Sequence, residues 1–148
     1  MNEIKFEPQL WNDYLNASCY SFALNYFTNE IYHVGDIYPG KRFDISCSFS
    51  QLIETFIKEA NHLGYIVEET DLSDNDLDNK YKIFLVRNPE IRYYHFYRRG
   101  IDGIWSHKKP YELPNRIGYN GEIISNPFES AEPGYVEGRC FSLTKKLK

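Results

Sequence analysis

The chain has 148 residues, of which 42% are hydrophobic and 26% charged, and this size and composition predict one globular domain over residues 1–148. Its formal net charge of −4 disfavours a nucleic-acid partner, because phosphate backbones bind surfaces rich in Lys and Arg. No segment approaches the ~20 apolar residues of a membrane span, and the first residues begin no apolar run. We therefore expect a cytoplasmic protein without a membrane partner.

Three cysteines stand at long spacings in the chain, at Cys19, Cys47 and Cys140. An odd number excludes a fully paired disulfide framework, and the lack of paired ligands at close spacing disfavours zinc. An isolated cysteine in a cytosolic chain is often a small buried hydrophobe, so a chemical role must follow from its surroundings. We expect neither a metal nor a cofactor.

A first helix is predicted near Cys19. Asn16 or Ser18 is suited to cap it, and the helix is expected to run to about Thr28 with Cys19 in its first turn. One apolar face follows from the spacing of Tyr20, Ala23, Leu24 and Phe27. Residues 29–48 are predicted to be a loop, with a short strand over 31–34.

A second helix is predicted after a cap at Ser46 or Ser48. It has the clearest helical period in the chain and ends at Gly64, a residue favoured just past a helix. Its apolar positions are Phe49, Leu52, Ile53, Phe56, Ile57, Ala60 and Leu63.

Strands and turns dominate the chain from residue 65 onward. Strands are predicted over 65–69, 81–86 and 135–143, with a further turn at Asn120-Gly121. The acidic run 71–79 suggests calcium, but counting from Asp74 places Asn79 where an EF-hand needs Gly and Leu85 where it needs Glu. The order of helices first and an antiparallel meander afterwards predicts an α+β fold.

Residues 93–108 are predicted to form a hairpin that carries two histidines. Tyr93, His95 and Tyr97 alternate onto one face, and the glycines around residue 101 supply the turn. A turn centred on Ile101 places His95 directly opposite His107. A core seldom holds two imidazoles side by side, because each has a polar nitrogen that needs a partner, whereas a catalytic site often does.

Cys19, His95 and His107 form a pattern typical of thiol hydrolases. The first turn of a helix favours the thiolate, because its free amide groups and the helix dipole are positive there. His95 on a neighbouring strand can accept the thiol proton, and His107 can fix the tautomer of His95.

This arrangement resembles the papain-like superfamily and is most similar to its compact NlpC-like branch of cell-wall peptidases and amidases. Three blocks of the chain, 16–20, 95–98 and 102–108, also resemble segments of small bacterial and viral proteins. The resemblance implies a papain-like or NlpC-like fold, with N-terminal helices packed on an antiparallel sheet. It implies Cys19 as nucleophile, His95 as general base and His107 as the residue that orients it.

The sequence departs from that family in several ways. The usual residues around the nucleophile differ, and no glutamine stands upstream as an oxyanion donor, so the Cys19 amide and the Asn16 side chain are the candidates. Cys47 also precedes a helix and is a second candidate nucleophile. The alternative candidates for orienting His95, in place of His107, are Asn126, Asn115 and Asp102.

Further residues of the hairpin are candidates for substrate contacts. Trp105, Tyr93 and Tyr97 are expected to wall a cleft, and Arg98 and Arg99 to receive a substrate carboxylate or to be solvated.

The sequence thus predicts a cysteine peptidase or amidase that cleaves an amide or isopeptide bond of a protein or peptide through a thioester. The same residues would serve glutamine deamidation or acyl transfer. The alternative is a non-catalytic protein-binding module whose histidines are structural. A catalytic Cys19 is expected to react with iodoacetamide well below the pH at which a free thiol reacts.

Overall fold

The computed structural model describes residues 4–73 and 80–146. A 3₁₀ turn at Pro8–Trp11 precedes helices α1 (Cys19–Ala23) and α2 (Phe49–His62). The strands follow as β1 (Tyr65–Thr70), β2 (Lys80–Asn88), β3 (Tyr93–Arg99), β4 (Trp105–Ser106) and β5 (Glu137–Lys145). Within the described residues, no helix has the length and apolar character needed to cross a membrane. The acidic segment 74–79, which fails the calcium pattern, lies outside the described residues.

Helix α1 begins where the sequence predicts and ends earlier. Ser18 caps it, because its side-chain oxygen accepts a hydrogen bond from the Ser21 amide at 3.2 Å. The helix stops at Ala23 instead of continuing to Thr28, and Asn25 takes a left-handed conformation with a φ of 53°.

Side chains from distant parts of the chain explain the early end of α1. The Arg98 guanidinium donates to the Phe22 carbonyl at 2.9 Å, and the Tyr81 hydroxyl donates to the Ala23 carbonyl at 2.9 Å. The carbonyl of Leu24 likewise accepts a bond from another tyrosine. These bonds satisfy the last helical carbonyls, so further helical turns are not needed to do so.

Helix α2 agrees with the prediction. Ser48 and Gln51 form a reciprocal capping box, and Gly64 follows the helix with a φ of 95°. The face of α2 that carries Leu52, Phe56 and Ala60 is fully buried against the sheet.

The five strands form one antiparallel sheet in the order β1-β5-β2-β3-β4. The α+β class is therefore confirmed, but the predicted meander is wrong because β5 lies between β1 and β2. The physical reason is burial: residues 140–143 of β5 are all buried, so this strand needs cover on both faces. The short strand predicted over 31–34 is absent from the described residues, which have no regular structure there.

The register of the hairpin differs from the prediction by one residue. Arg98 lies opposite Ser106 and Arg99 opposite Trp105, so the turn centres on Asp102 rather than Ile101. Continued along the strands, this register places His107 opposite Tyr97 rather than opposite His95. Because side chains alternate with a period of two, both histidines still point to the same face.

Two hydrophobic clusters cover the two faces of the sheet. Helices α1 and α2 pack on one face, where Phe96 and Phe141 are fully buried. The opposite face carries Val86, Tyr97 and Trp105, and Ile124 from the segment between β4 and β5 packs on them. His95 pairs with Val86 across β2 and β3 and so belongs to this second face.

Candidate functional site

The two hairpin histidines are hydrogen-bonded to each other. Nε2 of His95 lies 2.8 Å from Nδ1 of His107, and Nε2 of His107 lies 2.8 Å from the carbonyl oxygen of Ile117. A carbonyl can only accept, so Nε2 of His107 carries a proton and its Nδ1 holds a lone pair. Nε2 of His95 therefore donates, and its Nδ1 is left as an unprotonated nitrogen.

Packing and backbone bonds hold His107 in place. Its ring stacks on Tyr97 with centroids 5.2 Å apart, and the His95 ring meets the same tyrosine edge to face at 4.9 Å. The backbone of His107 exchanges two hydrogen bonds with Asn115, both at 3.0 Å. The position of the orienting ring is thus set from two sides.

Cys19 is the first residue of α1, and it lines a cavity of about 610 Å³ that His95 also lines. Helix α1 packs against β3, and the Phe96 backbone, next to His95, is close enough to hydrogen-bond the Cys19 sulfur. Among the described contacts, no hydrogen bond joins the sulfur to the His95 ring. Cys19, on the sheet face that carries α1, and His95, on the opposite face, therefore line one cavity without a hydrogen bond between their side chains.

The thiol of Cys19 is protonated in this state. Burial raises its pKa to about 11, against the lowering effect of backbone hydrogen bonds from Phe96, Tyr20 and Cys19 itself and of the charge on Lys108. The first amides of α1 thus lower the thiol pKa as the sequence predicts, but burial outweighs them and the thiolate is not the favoured form. Helix α1 has only five residues, so its dipole is too weak to offset the loss of water around the sulfur.

The histidines are neutral at pH 7. Burial lowers the pKa of His95 to about 3, with further contributions from His107 and Lys109, and burial also lowers the pKa of His107. A neutral imidazole has a free lone pair, so His95 can accept a proton directly. Cys19 and His95 are thus a neutral thiol and a neutral imidazole rather than an ion pair.

Lys108 is part of this site, although the sequence did not suggest it. Its side chain is fully buried, and its ammonium donates to the carbonyls of Leu15 at 2.7 Å and Ala17 at 2.6 Å. Burial lowers its pKa to about 8. Lys108 directly follows His107. One short segment therefore contacts His95 through the histidine and the loop before Cys19 through the lysine. A lysine next to a strand end gives no sequence signal for such a role.

The structure separates Asn16 and Cys47 from the cysteine cavity. The backbone N–H of Asn16 donates to the side-chain oxygen of Asn29 at 3.0 Å. Asn16 is not among the residues that line the cavity around Cys19. The carbonyl of Cys47 accepts a bond from Arg87 at 2.7 Å, and Cys47 is likewise absent from that cavity wall.

Two of the alternative orienting residues have other partners. Asn126 accepts a bond from the Phe128 amide at 3.0 Å, and Asp102 pairs with Arg116 at 2.7 Å. Asn115 lies beside His107 and holds its backbone, as described above. His107 is the residue that meets Nε2 of His95.

The other hairpin candidates divide between core and cleft. Trp105 is buried in the second cluster, and Arg98 is buried against Phe22, so neither is placed to contact a substrate. Tyr93 lines the cysteine cavity, and Tyr97 lines a second cavity on the other side of His95.

No group of three or more His, Cys, Asp or Glu side chains within the described residues is arranged to hold a metal ion. No family model, curated protein or solved structure matches the chain.

Proposed function

We propose that the protein is a cysteine hydrolase with a papain-like or NlpC-like site, which cleaves an amide or isopeptide bond of a protein or peptide. The observation that carries the proposal is the hydrogen-bond chain from the Ile117 carbonyl through His107 to His95. It leaves an unprotonated Nδ1 on His95, which lines the cavity that contains the Cys19 thiol. The order of nucleophile, base and orienting group is that of a thiol hydrolase.

The first half of the reaction forms a thioester. His95 Nδ1 takes the proton of Cys19 while the sulfur attacks the substrate carbonyl carbon, and the carbonyl oxygen becomes an oxyanion. The tetrahedral intermediate then collapses, the carbon–nitrogen bond breaks, and the proton on Nδ1 passes to the leaving amine. During these steps the His95 imidazolium is stabilised because its Nε2–H donates to the lone pair on His107.

The second half releases the acid. A water molecule gives one proton to His95 as its oxygen attacks the thioester, and the proton returns to the sulfur when the carbon–sulfur bond breaks. The Cys19 amide, at the start of α1, is the best-placed oxyanion donor. Asn16, the other candidate from the sequence, does not line the cavity that contains Cys19.

The raised thiol pKa determines how this reaction has to proceed. Because the thiol pKa lies far above that of His95, a thiolate–imidazolium pair is not the resting state. Proton transfer must accompany the attack on a bound carbonyl. This corrects the expected reactivity: iodoacetamide, which does not fill the cavity, should alkylate Cys19 slowly at pH 7.

The proposed reaction suits a reducing, cytoplasmic setting, in which Cys19 and Cys47 stay as thiols. Glutamine deamidation and acyl transfer use the same thioester, so they remain alternative outcomes for the intermediate.

The test is covalent trapping with a set of peptides that carry an electrophilic ketone in place of the scissile amide. Mass spectrometry should locate the label on Cys19, and His95→Gln should slow labelling by about 100-fold or more. The Cys47→Ala variant is the matched control and should be labelled as fast as the natural chain. Labelling of Cys19 that does not depend on His95 would leave a protein-binding module as the function.

A further inference from the structure

Two cavities meet at His95. The cavity of about 610 Å³ contains Cys19, and a second one of about 430 Å³ contains His107 and Tyr97. His95 and Lys109 line both of them, whereas Cys19 lines only the first. His95 therefore lies between the cavity that Cys19 lines and the cavity that Cys19 does not line.

The proposed reaction assigns a different half of the substrate to each space. The acyl carbon must bond to the Cys19 sulfur, so the acyl half occupies the cysteine cavity. The leaving nitrogen must receive its proton from His95, and the chain attached to it has to continue away from the sulfur. The cavity on the His107 side is the space that this chain can enter.

We infer that the cavity on the His107 side binds the amine half of the substrate and that the residue after the scissile bond has a cationic side chain, lysine or arginine. This inference rests on the proposed function and adds a substrate class to it.

Charge in the second cavity favours a cation. Glu112 and Glu132 both line it, and Lys109 is the one cation among its described lining residues. Burial is the main cause that raises the pKa of Tyr97 and Tyr135, and the negative charge of Glu132 raises both further, in keeping with its place in the same cavity wall. Neither carboxylate forms an ion pair within residues 4–73 and 80–146, so both are available to a ligand.

Aromatic rings add to this preference. Tyr97, Tyr119 and Tyr135 line the same cavity, and the face of a tyrosine ring attracts an ammonium or guanidinium group. The volume of about 430 Å³ lies within the usual range for small-ligand sites. An aromatic space with two carboxylates is suited to a long cationic side chain.

The experiment measures binding of a blocked lysine to the full chain, so it does not depend on knowing the acyl half. N-acetyl-lysine methylamide and its uncharged counterpart, N-acetyl-norleucine methylamide, are titrated by calorimetry and by NMR shifts of the cavity residues. We expect the lysine compound to bind about tenfold more tightly, since an exposed ion pair and a cation–π contact each add a modest preference. The double variant Glu112→Gln/Glu132→Gln should remove that preference.

The double variant Glu122→Gln/Glu129→Gln is the matched control. It removes the same charge from exposed positions outside the cavity wall, and the preference for lysine should persist in it. Equal binding of the two compounds, or a preference that survives loss of Glu112 and Glu132, would overturn the inference even where Cys19 is reactive. If the cation binds as expected while Cys19 labelling does not depend on His95, the hydrolase and the leaving-group assignment both fail.

Discussion

A single lone pair on His107 controls the protonation of His95. His107 can accept a bond from His95 because its other nitrogen is committed to the Ile117 carbonyl. Any residue with a hydrogen-bond acceptor at the position of Nδ1 should also fix the tautomer of His95, since the His107 ring takes no part in the proton transfer. The role that we propose for His107 is therefore one of orientation, and substitutions can separate it from packing.

His107→Asn should keep most of the activity, because the amide oxygen of Asn lies near the position of the Nδ1 atom. His107→Phe keeps the ring against Tyr97 but has no acceptor, so His95 loses its fixed tautomer. We expect the rate of Cys19 trapping to fall less than about tenfold in the first variant and about 10²–10⁴-fold in the second.

Thermal unfolding of both variants is the control for this prediction. If His107→Phe melts at the temperature of the natural chain and still reacts at the natural rate, His107 does not orient the base.

The sequence predicts the pairing of His95 and His107 but not the role of Lys108. The period of two in the hairpin puts His95 and His107 on one face, and an error of one residue in the turn centre does not change that. Lys108 differs, because its partners are the carbonyls of Leu15 and Ala17, more than 90 positions away. No local pattern marks a lysine that binds backbone at such a distance.

Among the elements, those with a strong local period were predictable. Helix α2 and strands β2 and β3 follow from their own apolar spacing and turn residues. The end of α1 and the place of β5 depend instead on residues far along the chain, namely Arg98 at the last turn of α1 and the neighbours β1 and β2 around β5. Sequence order alone therefore gave the elements but not their arrangement.

The link between α1 and the hairpin is testable through Lys108. Lys108→Met keeps much of the buried chain of the lysine but removes the ammonium, so the buried Ala17 carbonyl loses its donor and the Leu15 carbonyl keeps only the bond from the Tyr111 amide. We expect the free energy of unfolding to fall by about 2 kcal/mol, the typical cost of unsatisfied buried polar groups. Trapping of Cys19 should also slow, because the loop before the nucleophile is released. Urea unfolding and probe labelling measure the two effects.

Lys109→Met is the matched control, since Lys109 is the neighbouring lysine and is exposed. Its unfolding free energy should change by less than about 0.5 kcal/mol. A loss in Lys108→Met no larger than that in the control would show that the buried contacts do not hold α1 to the hairpin.

For the whole molecule, burial of neutral histidines links the site to stability in acid. The pKa of His95 falls from 6.5 to about 3 on folding, so between these values the unfolded chain binds a proton that the folded chain does not. Stability is unaffected by this group above pH 6.5 and decreases as the pH falls toward 3. His107, whose pKa is also lowered, acts in the same direction.

His95→Gln should therefore flatten the acid side of the stability profile. A pH of 5 is 1.5 units below 6.5, the pKa of this histidine in the unfolded chain. Protonation of the unfolded chain at pH 5 therefore lowers the free energy of unfolding by roughly 2 kcal/mol. The Gln side chain is neutral in both the folded and the unfolded state. Between pH 7 and pH 5, the free energy of unfolding should therefore decrease by about 2 kcal/mol less in the variant than in the natural chain. His62→Gln removes an exposed histidine and should keep the natural slope. Parallel slopes for His95→Gln and the natural chain would mean that the fold does not lower the pKa of this histidine.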